Sequence, residues 1–307
     1  MSSWLVRGVC NLTYSYFLGV DGGGSKCKAR LEDAVGNVLG EYTSGPANPM
    51  RDYDLAIHSI QTAIDGVYSV AKLSLEQAAK TSATMGLAGL NIPCCLAKMN
   101  NWKHPFASML LTTDLHIACM GAHGKPKGAI VIIGTGSSGI VCKGEQQIEY
   151  GGHGFTLGDK GSGAWFGAQA IRYSLETIGG VRTPTAFTEK LFKSLNNPSA
   201  YDIVERFANA SPAEFAHLSP LLFESAESND PIAVEIVEQG ALYIEQMCTQ
   251  ILLEKPKGLS LIGGLSHVLL PWLSADLQAK LNPPLNSPEM GAILIARQQQ
   301  ISPQKYA

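Results

Sequence analysis

The sequence has no concentration of positive charge. It carries 23 Lys and Arg residues against 26 Asp and Glu residues, which gives a net charge of −3 and a pI near 6.2. Nucleic acids and anionic membranes are bound by clustered basic side chains, and the basic residues here are scattered. No apolar stretch reaches the roughly 20 residues needed to cross a bilayer. We therefore expect neither a nucleic-acid nor a membrane partner.

The seven cysteines lack the spacing of a disulfide framework or a metal site. Their number is odd, none forms a C-x-x-C pair, and Cys94 and Cys95 are adjacent. His116, His123 and His267 also show no metal-ligand spacing. These features are typical of reduced thiols, so we expect a cytoplasmic location and no zinc site.

The chain of 307 residues, 45% hydrophobic and 16% charged, is long enough for two globular domains. Residues 1–14 are expected to form an extension, either disordered or derived from an upstream start codon. Periodicity predicts strands over residues 16–20, 28–32, 38–42, 82–87, 108–112, 129–133, 140–142 and 259–262. It predicts helices over residues 52–71, 74–80, 94–100, 162–177, 185–195, 212–225 and 231–253, and one that opens at Asp114. Within the second of these, Ser74 is expected to be the N-cap and Gln77 its capping-box partner.

Two glycine-rich turns each follow an apolar strand and precede another strand. The first is Asp21-Gly22-Gly23-Gly24-Ser25-Lys26, and the second is Gly134-Thr135-Gly136-Ser137. The first turn has the spacing of neither a Walker A loop nor a Rossmann loop. Glycine lets the backbone approach an anion, and the N–H groups can then point at phosphate oxygens. Either turn could also be a plain hairpin turn.

The recurrence of this strand–turn–strand arrangement after about 110 residues predicts duplicated halves. A cluster of Gly and Pro residues near 121–128 places the boundary there. We predict one domain over 15–122 and a second over 123–307, with helices inserted in the second.

The ordered motifs resemble those of the actin/hexokinase/Hsp70 ATPase superfamily, and within it the N-acetylglucosamine kinase and BadF/BadG ATPase family. The pattern is most similar to bacterial glucosamine kinases. The pieces that carry the resemblance are the two turns above, Gly45-Pro46-Ala47-Asn48, Gly86-Leu87-Ala88-Gly89, Thr112-Thr113-Asp114, Leu157 to Gly163 and Gly263-Gly264. The resemblance implies an α/β fold with two ribonuclease H-like (actin-like ATPase) domains flanking a nucleotide and sugar cleft. It also leaves a homodimer open.

The resemblance also implies which residues bind ATP with Mg²⁺. Asp21 would hold the metal directly or through water, and Gly263-Gly264 would pack against the adenosine. The phosphates would be bound by Gly22, Gly23, Gly24, Ser25, Lys26, Gly134, Thr135, Gly136 and Ser137. Gly263-Gly264 could alternatively be a helix-entry turn.

Asp114 takes the position of the family's catalytic base, and its alternative role is that of a helix N-cap. Asn48, His153, Gly154 and Asp159, together with Asp114, are the implied sugar ligands. Asn48 could instead serve the turn before Pro49, and Asp159 could cap the following helix.

Two positions depart from the family pattern. Animal N-acetylglucosamine kinases carry tryptophan at the position of His153, so this histidine favours free glucosamine as substrate, although it could also be structural. Lys160 stands where the family usually has Glu, and the sequence does not indicate its role.

The resemblance therefore predicts an ATP-dependent kinase that converts glucosamine to glucosamine 6-phosphate. N-acetylglucosamine is the alternative substrate. Two other classes stay open: an activator ATPase of the BadF type, which would hold an iron–sulfur cluster, and a non-catalytic sugar or nucleotide sensor.

Overall fold

The computed structural model describes residues 14–301, which form two compact units. The first contains residues 14–22, Lys26–Thr113 and residues 292–301, and the second contains Gly23–Ser25 and Asp114–Gly291. The extension predicted over residues 1–14 lies outside the described residues, apart from its last residue. Within the described range, no helix is both long enough and apolar enough to span a membrane.

The first unit is a five-stranded mixed sheet with helices. The strand order is β3-β2-β1-β4-β5, in which β1, β2 and β3 form an antiparallel meander and β4 and β5 run parallel to β1. Its elements are β1 (Tyr16–Gly22), β2 (Cys27–Asp33), β3 (Val38–Ser44), α1 (Tyr53–Val70), a 3-10 helix (Leu75–Lys80), β4 (Thr81–Leu87), α2 (Pro93–Asn100) and β5 (Ser108–Thr112).

Local chemistry explains the hairpin and the helix that follow β1. The Asp33 carboxylate accepts hydrogen bonds from the N–H groups of Val35, Gly36 and Asn37 at 2.8–3.0 Å, which closes the β2–β3 turn. Asp52 caps α1 by accepting from the Leu55 N–H at 3.0 Å. The apolar face of α1 then packs against the sheet to form the core of this unit.

The second unit repeats this plan with a four-stranded sheet. Its strand order is β8-β7-β6-β9, with an antiparallel β6-β7-β8 meander and β9 parallel to β6. Its elements are α3 (Asp114–His123), β6 (Lys127–Ile133), β7 (Ser137–Lys143), β8 (Gln146–Gly151), α4 (Gly163–Ile178), α5 (Ala186–Ser194), α6 (Ala200–Phe207), α7 (Pro212–Ala216), α8 (Ser219–Glu227), α9 (Pro231–Leu253), β9 (Leu259–Ile262), α10 (Ser266–Leu269), a 3-10 turn (Leu270–Trp272), α11 (Ala275–Gln278) and α12 (Pro288–Ile301).

The sheet of the first unit has five strands, whereas this sheet has four. In place of a fifth strand, Leu281 forms a single parallel bridge with Leu259 on β9. The predicted α/β class is confirmed. The helices between β8 and β9 lie where we expected an insertion.

The unit limits differ from the predicted division between residues 122 and 123. α3 belongs to the second unit because its apolar face packs against β6 and β7 through Ala118 and Cys119. α12 begins in the second unit, and its residues from Ala292 onward belong to the first. The domain limits themselves stay a prediction.

The structure corrects two predicted helices and excludes one alternative role. Residues 75–80 form a 3-10 helix rather than an α-helix, and Ser74 makes no side-chain cap bond. The helix predicted over 212–225 is two helices, α7 and α8. Asp159 does not cap α4, because the Ser162 hydroxyl accepts from the Trp165 N–H at 3.1 Å.

Candidate functional site

In the first unit, Asp21 lies at the carboxyl end of the parallel pair β1–β4. It pairs in register with Lys28 on β2 and Gly86 on β4. Gly22 follows at a closely packed point, where an added Cβ would lie 2.4 Å from Leu87 Cδ2 and 3.1 Å from the Ala47 carbonyl oxygen, so Leu87 would have to move. The structure therefore places a carboxylate directly before a closely packed backbone, and Lys26, at the far side of the turn, is exposed.

Asn48 lies against the turn that follows β4. Its Oδ1 accepts from the Met50 N–H at 3.0 Å, which is the turn chemistry considered above. An added Cβ on Gly89, whose φ is +85°, would lie 2.8 Å from the same oxygen. The side chain is half-buried and fixed by its carbonyl oxygen, so the amide end is the part that can serve a ligand.

The second glycine turn is joined to the first turn of α4. The Gly134 N–H donates to the Gly136 carbonyl at 2.9 Å, and the Gly163 N–H donates to the Gly134 carbonyl at 2.8 Å. The Thr135 hydroxyl lies 2.7 Å from the Ser25 hydroxyl, so two predicted phosphate ligands are neighbours within the second unit. Ser137 differs, because it is buried and its hydroxyl donates to the Lys160 carbonyl at 2.9 Å.

Asp159 is buried directly against this turn. An added Cβ on Gly136 would lie 2.8 Å from its Oδ2 atom, and its own backbone is left-handed, with φ of +55°. Burial raises the pKa of Asp159, whereas the N–H groups of Ser137 and Gly154 and the nearby His153 lower it. The carboxylate is thus packed between the phosphate turn and the loop that carries His153.

The loop that carries His153 is exposed at its two predicted sugar-binding residues. His153 and Gly154 face solvent, and Gly154 has a φ of +80°. Lys160, at the end of the loop, is half-buried and its ammonium lies 5.6 Å from the centre of the Trp165 ring. This cation–π contact gives Lys160 a structural partner.

Asp114 is the first residue of α3, and burial raises the pKa of its carboxyl to about 6. The Leu115 N–H, which donates to Oδ1 at 2.9 Å, opposes this increase, and the charge of Glu149 on β8 adds to it. Such a pKa is suited to a general base near neutral pH. The role of Glu149 could not be predicted from the sequence, because its proximity to Asp114 depends on strand pairing.

Gly263 and Gly264 form the turn after β9. Gly263 has a φ of +100°, and an added Cβ would lie 2.5 Å from the Ile133 carbonyl oxygen. Gly264 instead borders a cavity of about 340 Å³ between α8 and α10. The apolar part of its lining includes Phe223, Leu265 and Val268, and Glu227 and His267 are exposed at its edge. The contribution of α8 could not be predicted, since it lies about 40 residues from the turn.

Three of the predicted ATP-binding glycines have no structural reason to be glycine. At Gly24, Gly134 and Gly264 an added Cβ would meet no atom within 4 Å, and none of them has a positive φ. The fold would therefore accept a side chain at each position. Free space above the backbone at these positions is what a bound anion or nucleoside requires.

The chain is similar to known ATPases and sugar kinases. Residues 18–296 match the BadF/BadG/BcrA/BcrD ATPase family. Glucosamine kinase GspK of Vibrio cholerae is 33% identical over 92% of this chain and 96% of that protein. The N-acetyl-D-glucosamine kinase of Dictyostelium discoideum is 28% identical over 91% of this chain and 97% of that protein.

A solved structure from Chromobacterium violaceum, provisionally described as an N-acetylglucosamine kinase, superimposes with a TM-score of 0.87. It is 26% identical and covers 92% of this chain and 99% of its own. The predicted family and actin-like ATPase fold are confirmed by these matches. The enzyme class is confirmed as well, because both curated relatives are sugar kinases.

The contact between Gly136 and Asp159 gives a test of the geometry. We expect Gly136→Ala to lower the free energy of unfolding by about 1–3 kcal/mol, because the new methyl group displaces a buried carboxylate. Gly134→Ala is the matched control, since the space above Gly134 is open. Urea unfolding followed by circular dichroism measures both variants. Equal stability of the two would contradict the packing described here.

Proposed function

The chain belongs to the BadF/BadG/BcrA/BcrD ATPase family, and we propose that it is an ATP-dependent kinase that phosphorylates the C6 hydroxyl of glucosamine. The observation that carries the proposal is the occurrence, in one unit, of a carboxyl with a pKa of about 6 and of glycine turns with unfilled space. The first is suited to accept a proton, and the second to bind phosphate.

We assign the ATP phosphates to the two glycine turns. The turn at Gly134-Thr135-Gly136 and the segment Gly22 to Lys26 would supply N–H groups, the hydroxyls of Ser25 and Thr135, and the Lys26 ammonium. The Ser137 hydroxyl is not included, because it donates to the Lys160 carbonyl. Ser137 would contribute through its position at the start of β7.

The adenosine is assigned to the cavity beside Gly264. Its apolar residues Phe223, Leu265 and Val268 suit the faces of a purine, and its edge carries polar groups. Gly263 packs against Ile133 at the end of β6. The phosphate turn follows β6 directly, so this contact links the cavity to the phosphate turn within one unit.

Mg²⁺ is assigned to Asp21, whose carboxylate is a suitable hard ligand. Mg²⁺ in kinases is held by one or two carboxylates together with substrate phosphates, so a single half-buried aspartate beside a phosphate turn fits the ion. Its negative charge also contributes, after burial, to raising the pKa of the neighbouring Cys27 thiol to about 12. When bound, the ion would neutralise charge on the phosphates.

The sugar is assigned to Asn48, Asp114, His153, Gly154 and Asp159. Free glucosamine is preferred to N-acetylglucosamine because His153 stands where animal N-acetylglucosamine kinases carry tryptophan. The identity of 33% to a glucosamine kinase supports the same preference.

The transfer itself needs one proton acceptor and a pre-arranged set of donors. Asp114 accepts the proton of the C6 hydroxyl as its oxygen bonds to the γ-phosphorus, and the bond from that phosphorus to the β,γ-bridging oxygen breaks. ADP leaves with the electron pair of that bond. The N–H groups of the glycine turns stabilise the charge on the transferred phosphoryl group.

The function is tested by ADP release with MgATP and a panel of sugars. We expect strong turnover with glucosamine, weak turnover with N-acetylglucosamine, and only background with glucose or without sugar. The reverse order for the two amino sugars would keep the kinase and overturn the assigned preference. Sugar-independent hydrolysis would favour an activator ATPase, for which iron and sulfide analysis of anaerobically purified protein is the next measurement. Absence of turnover would favour a sensor.

Asp114→Asn should abolish most of the turnover without unfolding the protein. Positioned proton acceptors contribute about 10²- to 10⁴-fold to rates, so we expect kcat to fall within that range while calorimetry shows glucosamine binding preserved. Stability at pH 7.5 should not decrease, because the raised pKa means that ionised Asp114 is disfavoured in the folded protein. Near-normal kcat would exclude Asp114 as the base.

The pH dependence of kcat should show an acidic limb near pH 6. Asp114 must be ionised to accept a proton, and its pKa is raised to about 6, so log kcat should fall by about one per pH unit below that value. The residual rate of Asp114→Asn should lack this limb. A limb near pH 4 would show that the carboxyl has its ordinary pKa during turnover.

A further inference from the structure

We propose that Phe155 is a positioning residue that anchors the sugar loop, defined here as residues 151–158, to the inserted helices through Phe215. The inference rests on the proposed function, because it assigns this loop a role in sugar binding. It concerns a residue that touches neither the predicted phosphates nor the predicted base.

The sugar loop has little backbone rigidity of its own. Gly151, Gly152 and Gly154 have φ values of +65°, +69° and +80°, and Gly158 follows within four residues. Glycine has more backbone freedom to lose on ordering than any other residue. The start of the loop is held to β7, because Gly151 pairs with Ser138 and the Gly152 N–H donates to the Ser137 carbonyl at 3.1 Å. Beyond Gly152, the N–H groups of Leu157 and Gly158 both donate to the Gly154 carbonyl, and these two bonds lie within the loop itself.

Beyond Gly152, Phe155 attaches the loop to the inserted helices through its side chain. Its ring centre lies 5.1 Å from that of Phe215 at 40°, and Phe215 in turn lies 5.3 Å from Phe207 at 39°. The other large apolar side chain of the loop, Leu157, is 86% exposed and packs against little. Aromatic pairs at such distances stabilise by about 0.5–1.5 kcal/mol beyond the area they bury.

Phe215 is itself held in a fixed position. It is buried on α7, and an added Cβ on Gly167 of α4 would lie 1.9 Å from the Phe215 carbonyl oxygen. The backbones of α7 and α4 are therefore in direct contact. α4 is also bonded to the phosphate turn through Gly163 and Ala164, so the platform beneath Phe155 does not depend on the sugar loop.

Loss of the contact between Phe155 and Phe215 should weaken the binding of the sugar and not the binding of ATP. Phe155 lies between His153 and Asp159 in the chain, and its immediate neighbour Gly154 contributes an N–H group near the Asp159 carboxylate. Releasing Phe155 should let the loop sample conformations in which these groups no longer converge. Binding must then order the loop, and this entropy cost weakens sugar affinity without changing the phosphate turn.

The test compares Phe155→Leu with Phe187→Leu and Phe155→Tyr. Phe187 is a buried aromatic of the same core in the second unit, so its substitution loses a ring without touching the sugar loop. Phe155→Tyr keeps the ring at a half-buried position. We expect Phe155→Leu to raise the KM for glucosamine about tenfold, which corresponds to about 1.4 kcal/mol, with the KM for ATP and kcat changed less than about twofold.

Hydrogen exchange provides a readout that does not require turnover. Amides of residues 152–158 should exchange faster in Phe155→Leu, and at the wild-type rate in Phe187→Leu and Phe155→Tyr. Unchanged exchange in Phe155→Leu, or equal acceleration in Phe187→Leu, would overturn the anchor. If the exchange result holds but the wild-type protein shows no sugar-dependent turnover, the anchor stands and the proposed function fails.

Discussion

The parallel pairing of β6 with β9 is the constraint on which the proposed nucleotide site depends. Ile132 is in register with Ile262, so both strands end at the same edge of the sheet. The Ile133 carbonyl there accepts from the Leu265 N–H at 3.0 Å, and Gly263 packs against the same peptide. A glycine turn from residue 134 and another from residue 263 are thereby adjacent, although they lie 129 positions apart in the sequence.

The first unit uses the same bond in the corresponding place. The Ala88 N–H, directly after β4, donates to the Gly22 carbonyl at 2.8 Å, just as Leu265 donates to Ile133. The duplicated geometry has nevertheless acquired different chemistry. Asp21, the last residue but one of β1, is paired with Gly86, whereas the last residue but one of β6 is Ile132, which is paired with Ile262. Only the first turn thus offers a carboxylate at this position, which is why we assign it the metal.

The sequence was sufficient for the strands that end in these turns, because a fully apolar run followed by glycines has few other interpretations. It was insufficient where packing decides. β8 is short and lies at the edge of its sheet, so its pattern carries little signal. The left-handed backbone of Asp159 is unusual for a residue other than glycine, and it occurs where the side chain is buried against Gly136. The participation of Ser137 in a bond to Lys160, and the effect of Glu149 on Asp114, require strands and loops distant in sequence to be placed first.

Asp114 and Asp159 show how burial can give two carboxyls different roles. Burial raises the pKa of both. Around Asp159, two backbone N–H groups and His153 favour the charged form, so this carboxylate is suited to hold backbone in place. At Asp114, burial and the charge of Glu149 disfavour the charged form, whereas the Leu115 N–H favours it. The pKa of this carboxyl is on balance raised to about 6. Its ordinary value is 3.8, so the folded protein loses stability as the pH rises from that value to about 6. A strongly raised pKa of this kind is characteristic of carboxyls at functional sites.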